Sequence, residues 1–435
     1  MTRLFRGFLL AFLGCFVTQA SGQSSLKLKI DNLAKAVEPK VVEWRRHFHQ
    51  YPELSNREFK TAEKVAAHLK ALGLEVQTGI AHTGVVGLLR GGKPGPVVAL
   101  RADMDALPVT ERVNLPFASK ERAVYNGQEV GVMHACGHDT HVAILMGAAE
   151  VLSAIKNDLR GSVKFIFQPA EEGAPEGEEG GAELMVKQGV LENPKVDVIF
   201  GLHINAQQEV NTIEYRPRGT YAASDRFRIV VKGKQTHGAY PAGGIDPIVV
   251  ASQIVMGLQT IVSRQVDLTQ APVVVSVGSI HGGVRNNIIP EEVELVGTIR
   301  TLDTDMQRAV HEKIRRTATS IAESAGARAD VQIVLGYPVT YNDPALTEKM
   351  LPTLQAVAGK ENVRLREVQM GAEDFSFFAQ KVPGLYFNLG GRPKNKKPEE
   401  TAPHHTPDFF IDESGFTLGV RAFCNLVLDY MTQNR

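Results

Sequence analysis

Five short runs rich in Val, Leu, Ile and Phe, at residues 84–89, 97–101, 163–167, 196–202 and 385–389, dominate the pattern of this sequence. Runs of that length, bounded by turn residues, are strands buried on both faces, and such strands belong to sheets covered by helices. Helical periodicity at 41–50, 61–74 (ending around Leu72-Gly73), 142–155 and 416–431 supplies the covering. The expected architecture is α/β, with a mainly parallel mixed sheet.

Between Ser224 and about Val339 the rhythm changes. Strand 227–231, helix 246–265, strands 273–280 and 293–300, helix 303–325 and strand 330–335 follow in a βαββαβ order, the split pattern of an α+β ferredoxin-like domain. The chain then returns to α/β, so a small domain at 221–338 is inserted in a larger one formed by 23–220 and 339–435. A length of 435 residues accommodates both.

Residues 1–22 read as a signal peptide: Arg3 and Arg6 precede the apolar run 8–13, and small residues follow near Thr18-Gln19-Ala20-Ser21-Gly22. Export to a periplasmic or secreted location is expected. Gly14-Cys15 faintly resembles a lipoprotein signal, but the apolar stretch before it is short. No later stretch is expected to span a bilayer, which takes about 20 apolar residues. Lys+Arg and Asp+Glu both number 48, so no net field favours nucleic acid or an anionic membrane as partner. Three cysteines, Cys15, Cys136 and Cys424, cannot build a disulfide framework.

The polar residues that carry chemistry fall at strand ends. Asp103 and Asp105 follow the run ending at Arg101, Glu171 and Glu172 follow Phe167, and His203 follows Leu202. Cys136, His138, Asp139 and His141 come just before the helical 142–155 stretch, and His404 and His405 after the last strand. The carboxyl edge of an open α/β sheet is where ligand crevices form. Thiolate, imidazole and carboxylate gathered on one rim suit a zinc ion, or Mn2+ where imidazole and carboxylate predominate. His47, His49, His68, His82, His281 and His311 lack such placement and read as surface or satisfied core residues.

At Met133-His134-Ala135-Cys136-Gly137-His138-Asp139-Thr140-His141 the chain resembles the aminoacylase and carboxypeptidase G metallopeptidase family, in the branch of hippurate hydrolases, N-acyl-amino-acid amidohydrolases and auxin-conjugate hydrolases. The resemblance extends through Asp103-Met104-Asp105-Ala106-Leu107-Pro108, Gln168-Pro169-Ala170-Glu171-Glu172-Gly173, Gly201-Leu202-His203, His237-Gly238-Ala239, Asn287-Ile288-Ile289-Pro290, Gly371-Ala372-Glu373-Asp374-Phe375 and His405-Thr406-Pro407. It covers nearly all of the chain after the leader, in the expected order.

The resemblance implies a zinc-peptidase-like catalytic domain holding two divalent metal ions per subunit, Zn2+ or Mn2+, with Co2+ or Ni2+ as alternatives. The insert becomes a lid and dimerisation domain, making the protein a homodimer. The implied metal ligands are Cys136, His138, Glu172, His203 and His405, the last chosen over His404 because it stands two residues before Pro407. Glu171 becomes the general base, and His237 the lid histidine that stabilises the oxyanion in a neighbouring subunit's site. Asn287 contacts substrate, and Arg300 or Arg285 is a candidate grip for its carboxylate. Asp103 stands where other branches carry a metal histidine, so it and Asp105 are expected to support ligands rather than bind metal. Pro241-Ala242 replaces a second histidine common in relatives.

The implied activity is hydrolysis of N-acyl or N-aroyl amino acids, small molecules, to a carboxylic acid and an amino acid. Two alternatives keep the cleft: a dipeptidase or carboxypeptidase, and a silent acyl-amino-acid binding protein. A cysteine hydrolase using Cys136 with His138 is disfavoured by their adjacency. Cys424, within the apolar stripe Phe416, Val420, Phe423, Leu426, Val427, is expected to be a core residue that does not pair with Cys136.

Overall fold

Each of the five apolar runs is a strand in the computed structural model, which describes residues 4–434, with side chains from residue 24 onward. The expected leader, with Cys15, lies outside the residues whose side chains are described. Among the described residues the chain forms two compact units: 1–215 with Asp343–Arg366 and Val382–Arg435, and Arg216–Asn342 with Glu367–Lys381.

The first unit is built on an eight-stranded sheet in the order Glu75–Ile80, Gly84–Arg90, Arg160–Gln168, Lys93–Asp103, Val198–Glu209, Gly384–Arg392, Ile213–Tyr215, Val363–Leu365. Its centre is parallel: Lys93–Asp103 pairs in parallel with both Arg160–Gln168 and Val198–Glu209, and Val198–Glu209 with Gly384–Arg392. Antiparallel pairs flank that centre, which gives the mixed sheet expected from the sequence. Phe165, Phe167, Phe200 and Phe387 are among its fully buried side chains. Burying each contributes about 1.5–3 kcal/mol.

Helices Leu4–Gln50, His138–Ala154 and Phe416–Gln433 pack against one another in the core of this unit. Gly147 makes that approach close, since a Cβ there would sit 2.7 Å from Val41 and 3.1 Å from Val420. The helix expected over 41–50 is the end of a longer one that carries Pro39 in its interior, a residue whose missing N–H ordinarily argues for a helix boundary. Short elements with little apolar content, such as the hairpin Arg122–Tyr125 with Gln128–Gly131, were not signalled by periodicity.

The second unit has a four-stranded antiparallel sheet, ordered Val273–Gly282, Glu292–Thr301, Ala223–Lys232, Arg328–Tyr337, with helices Pro247–Thr260 and Thr304–Ser324. Burial alternates along Glu292–Thr301, as it must when one sheet face packs on helices. Asp246 and Asp303, where the sequence pattern began each helix, are N-caps: Asp246 accepts from the Ile248 N–H at 2.9 Å and Asp303 from the Met306 N–H at 2.8 Å. His311 is a satisfied core residue, its Nε2 2.7 Å from Asp225.

Two expectations need correction here. Residues 367–381, placed by sequence in the larger domain, belong to the second unit because the Ala222 N–H donates to Gln369 and Gly371 carbonyls and the Gln369 N–H to Thr220. Among the described residues one segment, Pro247–Gln265, is long and apolar enough to cross a membrane. It nevertheless seats Val250, Ala251, Ile254, Leu258 and Ile261 in the core of its own unit, as an amphipathic core helix does.

Candidate metal centre

Asp103 is the last residue of its strand, and Glu171 and Glu172 lie just beyond Gln168, as expected. His203 departs from that pattern, because its strand continues to Glu209. Burial turns from continuous to alternating at His203, so the apolar run ended there while the strand did not. His138, Asp139 and His141 stand in the first turn of helix His138–Ala154 rather than before it. Gly137 opens that helix at φ 89°, with Ile204 Cγ2 2.3 Å from where a Cβ would sit, so only glycine fits between Cys136 and His138.

These side chains converge. Cys136 Sγ is 3.5 Å from His203 Nε2, 3.3 Å from His405 Nε2 and 3.6 Å from His404 Nδ1. His405 Nε2 is 3.0 Å from Glu172 Oε1. His138 Nε2 is 3.8 Å from Glu171 Oε2, 4.0 Å from Glu172 Oε1 and 3.9 Å from Asp103 Oδ2. Ligands held about 2.0–2.3 Å from a zinc ion stand roughly 3.3–3.8 Å apart at tetrahedral angles, so the spacing suits a shared cation.

Hydrogen bonding sorts the histidines. His138 directs Nδ1 at the carbonyl of Asp105 (2.9 Å) and at its Oδ1 (3.2 Å), both acceptors, so Nδ1 carries the hydrogen. Its Nε2 is buried with no hydrogen-bond partner, an orphan lone pair aimed at the carboxylates. His203 likewise donates from Nδ1 to the Ile204 carbonyl at 2.6 Å, which turns an Nε2 lone pair toward Cys136. His141 is the reverse: the Ile204 N–H donates to its Nε2 at 2.8 Å, so its Nδ1–H goes to Asp103 Oδ1 at 2.5 Å. Two of these rings thus have a metal ligand's tautomer, and His141 serves as support.

The charges suit a cation. Burial, together with the Glu172, Glu171 and Asp103 carboxylates, pushes the Cys136 thiol well above its usual range. Burial opposes charge on His138, but Asp103, Asp105 and Glu172 outweigh it and raise its pKa to about 10. A divalent cation on the Nε2 side would neutralise that surplus negative charge in place of the proton and leave His138 as the neutral Nδ1–H tautomer. The donor set therefore fits a metal ion.

Asp105 organises the arrangement. Its Oδ1 accepts from the Glu171 N–H (3.0 Å), and its Oδ2 accepts from the Glu172 N–H (3.0 Å) and the Ser55 hydroxyl (2.8 Å). Ala170, at φ 51°, turns the chain there, and its N–H donates at 2.9 Å to fully buried Glu58, a residue the sequence did not single out. Asp105→Asn is expected to weaken metal binding by about 10–100-fold, because an amide cannot accept at both oxygen positions. Competition with a fluorescent chelator measures it; unchanged affinity would remove Asp105 from this role.

Asp103 is held by Arg101 (Nη1 to Oδ2, 2.6 Å) and His141, both buried. Cys136 and Cys424 are both free thiols, and Cys424 is fully buried beside the Ala148 carbonyl. A thiol titration of denatured, metal-free protein lacking residues 1–22 should count two; a count of zero would mean that they pair.

The other predicted residues lie in the second unit. Exposed His237 pairs in register with Ile288 and accepts the Ala239 N–H at Nδ1 (3.0 Å), which leaves Nε2–H as its outward donor. Asn287 is its neighbour, the Gly238 N–H donating to the Asn287 carbonyl at 2.8 Å. Arg300 is half-buried in strand Glu292–Thr301, and Arg285 lies in an exposed loop.

The profile of Peptidase family M20/M25/M40 matches residues 99–429. Thermostable carboxypeptidase 1 of Saccharolobus solfataricus is 41% identical over 404 residues, covering 92% of this chain and 98% of that protein. The N-acyl-L-amino acid amidohydrolase of Geobacillus stearothermophilus is 42% identical over 316 residues, covering 73% and 81%. Among solved structures, a dinuclear metal-binding peptidase of Bacillus subtilis is similar at a TM-score of 0.76 and 35% identity, over 92% of this chain and 99% of that one. Profile, relatives and structure agree over the stretch that carries the thiolate, imidazole and carboxylate cluster: the chain belongs to peptidase family M20/M25/M40.

Proposed function

We propose that this chain is a metal-dependent amidohydrolase that cleaves N-acyl or N-aroyl amino acids to a carboxylic acid and a free amino acid. The observation that carries the reading is the pair of imidazoles, His138 and His203, whose Nδ1–H groups are spent on oxygen acceptors while their Nε2 lone pairs face the Cys136, Glu171 and Glu172 cluster. The similar Geobacillus protein bears an N-acyl-amino-acid amidohydrolase name.

In this reading Cys136, His138, Glu172, His203 and His405 would hold two divalent ions. Thiolate with imidazole suits Zn2+; Mn2+, Co2+ and Ni2+ are the alternatives. Such ions lower the pKa of water towards neutrality and polarise a carbonyl. Glu171 takes the proton from water and returns it to the leaving nitrogen. His237, with its outward Nε2–H, supplies an oxyanion donor from the other subunit of a homodimer, while Asn287 and Arg300 contact the substrate; these roles rest on the family resemblance. Export through the leader-like residues 1–22 belongs to the same reading.

A second reading, cleavage of dipeptides at the same site, is favoured by the Saccharolobus carboxypeptidase, which is about as similar as the amidohydrolase. A silent binding protein would have no use for Glu171. Stripping the protein with a chelator should abolish release of amino acid, and Zn2+, Mn2+ or Co2+ should restore it. A panel of N-acetyl-, N-benzoyl- and long-chain N-acyl-amino acids with dipeptides separates the two readings. Absence of turnover on every substrate with every metal would refute hydrolysis.

A further inference from the structure

We propose that His404 is a positioning residue for the metal centre, donating an Nδ1–H hydrogen bond to the Cys136 thiolate, rather than a metal ligand. The inference rests on the reading of Cys136 as a ligand and adds a role for the neighbouring imidazole.

The ring's two nitrogens are distinguished by what faces them. The Ala206 backbone N–H donates to His404 Nε2 at 3.2 Å. A ring nitrogen that accepts carries no hydrogen, so the neutral ring has its hydrogen on Nδ1. Nδ1 faces Cys136, with Sγ at 3.6 Å, within range of an N–H···S bond, and the Cys136 backbone carbonyl beside it as a second acceptor for the same hydrogen. Phe409 (ring centroids 4.8 Å apart) and His203 (5.3 Å) pack against the ring and hold its plane.

Coordination through Nδ1 would move the hydrogen to Nε2. Two N–H donors would then face each other at the Ala206 contact, leaving a buried backbone donor without an acceptor, which is unfavourable. His203 makes the contrast. It lies on the same strand as Ala206 and approaches the same sulfur at 3.5 Å, but with a lone pair instead of a hydrogen. The two rings beside Cys136 therefore divide the work, one able to bind a cation and the other able to hydrogen-bond the sulfur that binds it.

The sulfur has room for such a donor: His203 and His405 approach it through Nε2 at 3.5 and 3.3 Å, and His404 through Nδ1 at 3.6 Å. A hydrogen bond to a ligating sulfur withdraws electron density from it, which raises the energy of sulfur-to-metal charge transfer.

The test uses the intact protein with Co2+ as the bound metal, comparing wild type, His404→Ala and His404→Asn, whose amide can donate from near the Nδ1 position. The alanine variant should bind as many cobalt ions as wild type. Its sulfur-to-cobalt charge-transfer band should move to longer wavelength, and it should lose cobalt to a chelator about tenfold faster. Asparagine should restore both. Loss of one cobalt ion, with changed d–d bands, would make His404 a ligand and overturn the proposal. An unchanged band and release rate in the alanine variant would overturn it as well, with Cys136 still a ligand. No charge-transfer band in wild type would instead overturn the assignment of Cys136, and the role of His404 with it.

Discussion

Glu171→Gln should lower kcat by about 10²–10⁴-fold while leaving the bound metal in place. Glutamine keeps the shape of the side chain and its backbone hydrogen bond to Asp105, but its amide cannot accept a proton from water. The site is built to aim this group. The left-handed turn at Ala170 and the bond from the Glu171 N–H to Asp105 fix the start of the side chain, and its Oε2 ends 3.8 Å from the orphan Nε2 of His138. At 1.36 kcal/mol per tenfold in rate, the loss corresponds to about 3–5 kcal/mol of transition-state stabilisation. Glu172→Gln makes the control, because its carboxylate lies 3.0 Å from His405 Nε2 and should cost metal before it costs chemistry. Metal content by elemental analysis beside kcat decides between the roles. A Glu171→Gln protein that loses its metal would show Glu171 to be a ligand, and one that keeps near-normal kcat would exclude it as the base.

The second large effect concerns stability. Asp139→Asn is expected to destabilise the first unit by about 3–5 kcal/mol, the usual result of removing one member of a buried ion pair. Asp139 is fully buried and joins two buried cations, Arg45 (Nε to Oδ2, 3.0 Å) and His49 (Nδ1 to Oδ2, 2.8 Å). His49 also meets Glu111 at 3.1 Å through its other nitrogen. Both ring nitrogens face carboxylates, so the ring must carry two hydrogens and a positive charge. Burial and Arg45 oppose that charge, but Asp139 and Glu111 outweigh them and raise the pKa of His49.

The direction of that shift sets the pH dependence. A group whose folded pKa is raised stabilises fully below its unfolded value, about 6.5 for histidine, and the contribution fades as pH rises through the folded value. The stability gap between wild type and His49→Gln should therefore be widest below about pH 6 and narrow as the solution becomes alkaline. Denaturant unfolding across that range measures both effects. A loss under 1 kcal/mol for Asp139→Asn, or a gap that widens with pH, would contradict this account.

Much of the fold was legible because its signals are local. A buried strand declares itself in five or six consecutive apolar residues, and a helix start in an Asp such as Asp246 or Asp303 placed before its first turn. The βαββαβ order needed only the succession of such signals. Short polar elements carry no periodicity, which is why the 122–131 hairpin was not legible. Residues 367–381 join the second unit through backbone bonds to positions near 220, about 150 residues earlier, and composition holds no trace of that pairing.

The candidate site divides in the same way. Order along the chain brought Cys136, His138, Glu171, Glu172, His203 and the pair His404 and His405 forward, because each stands near the end of an apolar run or beside a helical stretch; the family resemblance chose His405 of that pair and named Glu171 the base. It could not say which nitrogen of each ring faces the cluster, that Asp105 anchors both glutamates, or that His49 carries charge beneath the site. Those outcomes depend on partners remote in sequence: His49 meets Asp139 across 90 residues, His141 receives the Ile204 N–H across 63, and His404 the Ala206 N–H across 198. A tautomer or a buried charge is decided by whichever donor or acceptor the folded chain brings to it, and burial makes that choice energetically binding.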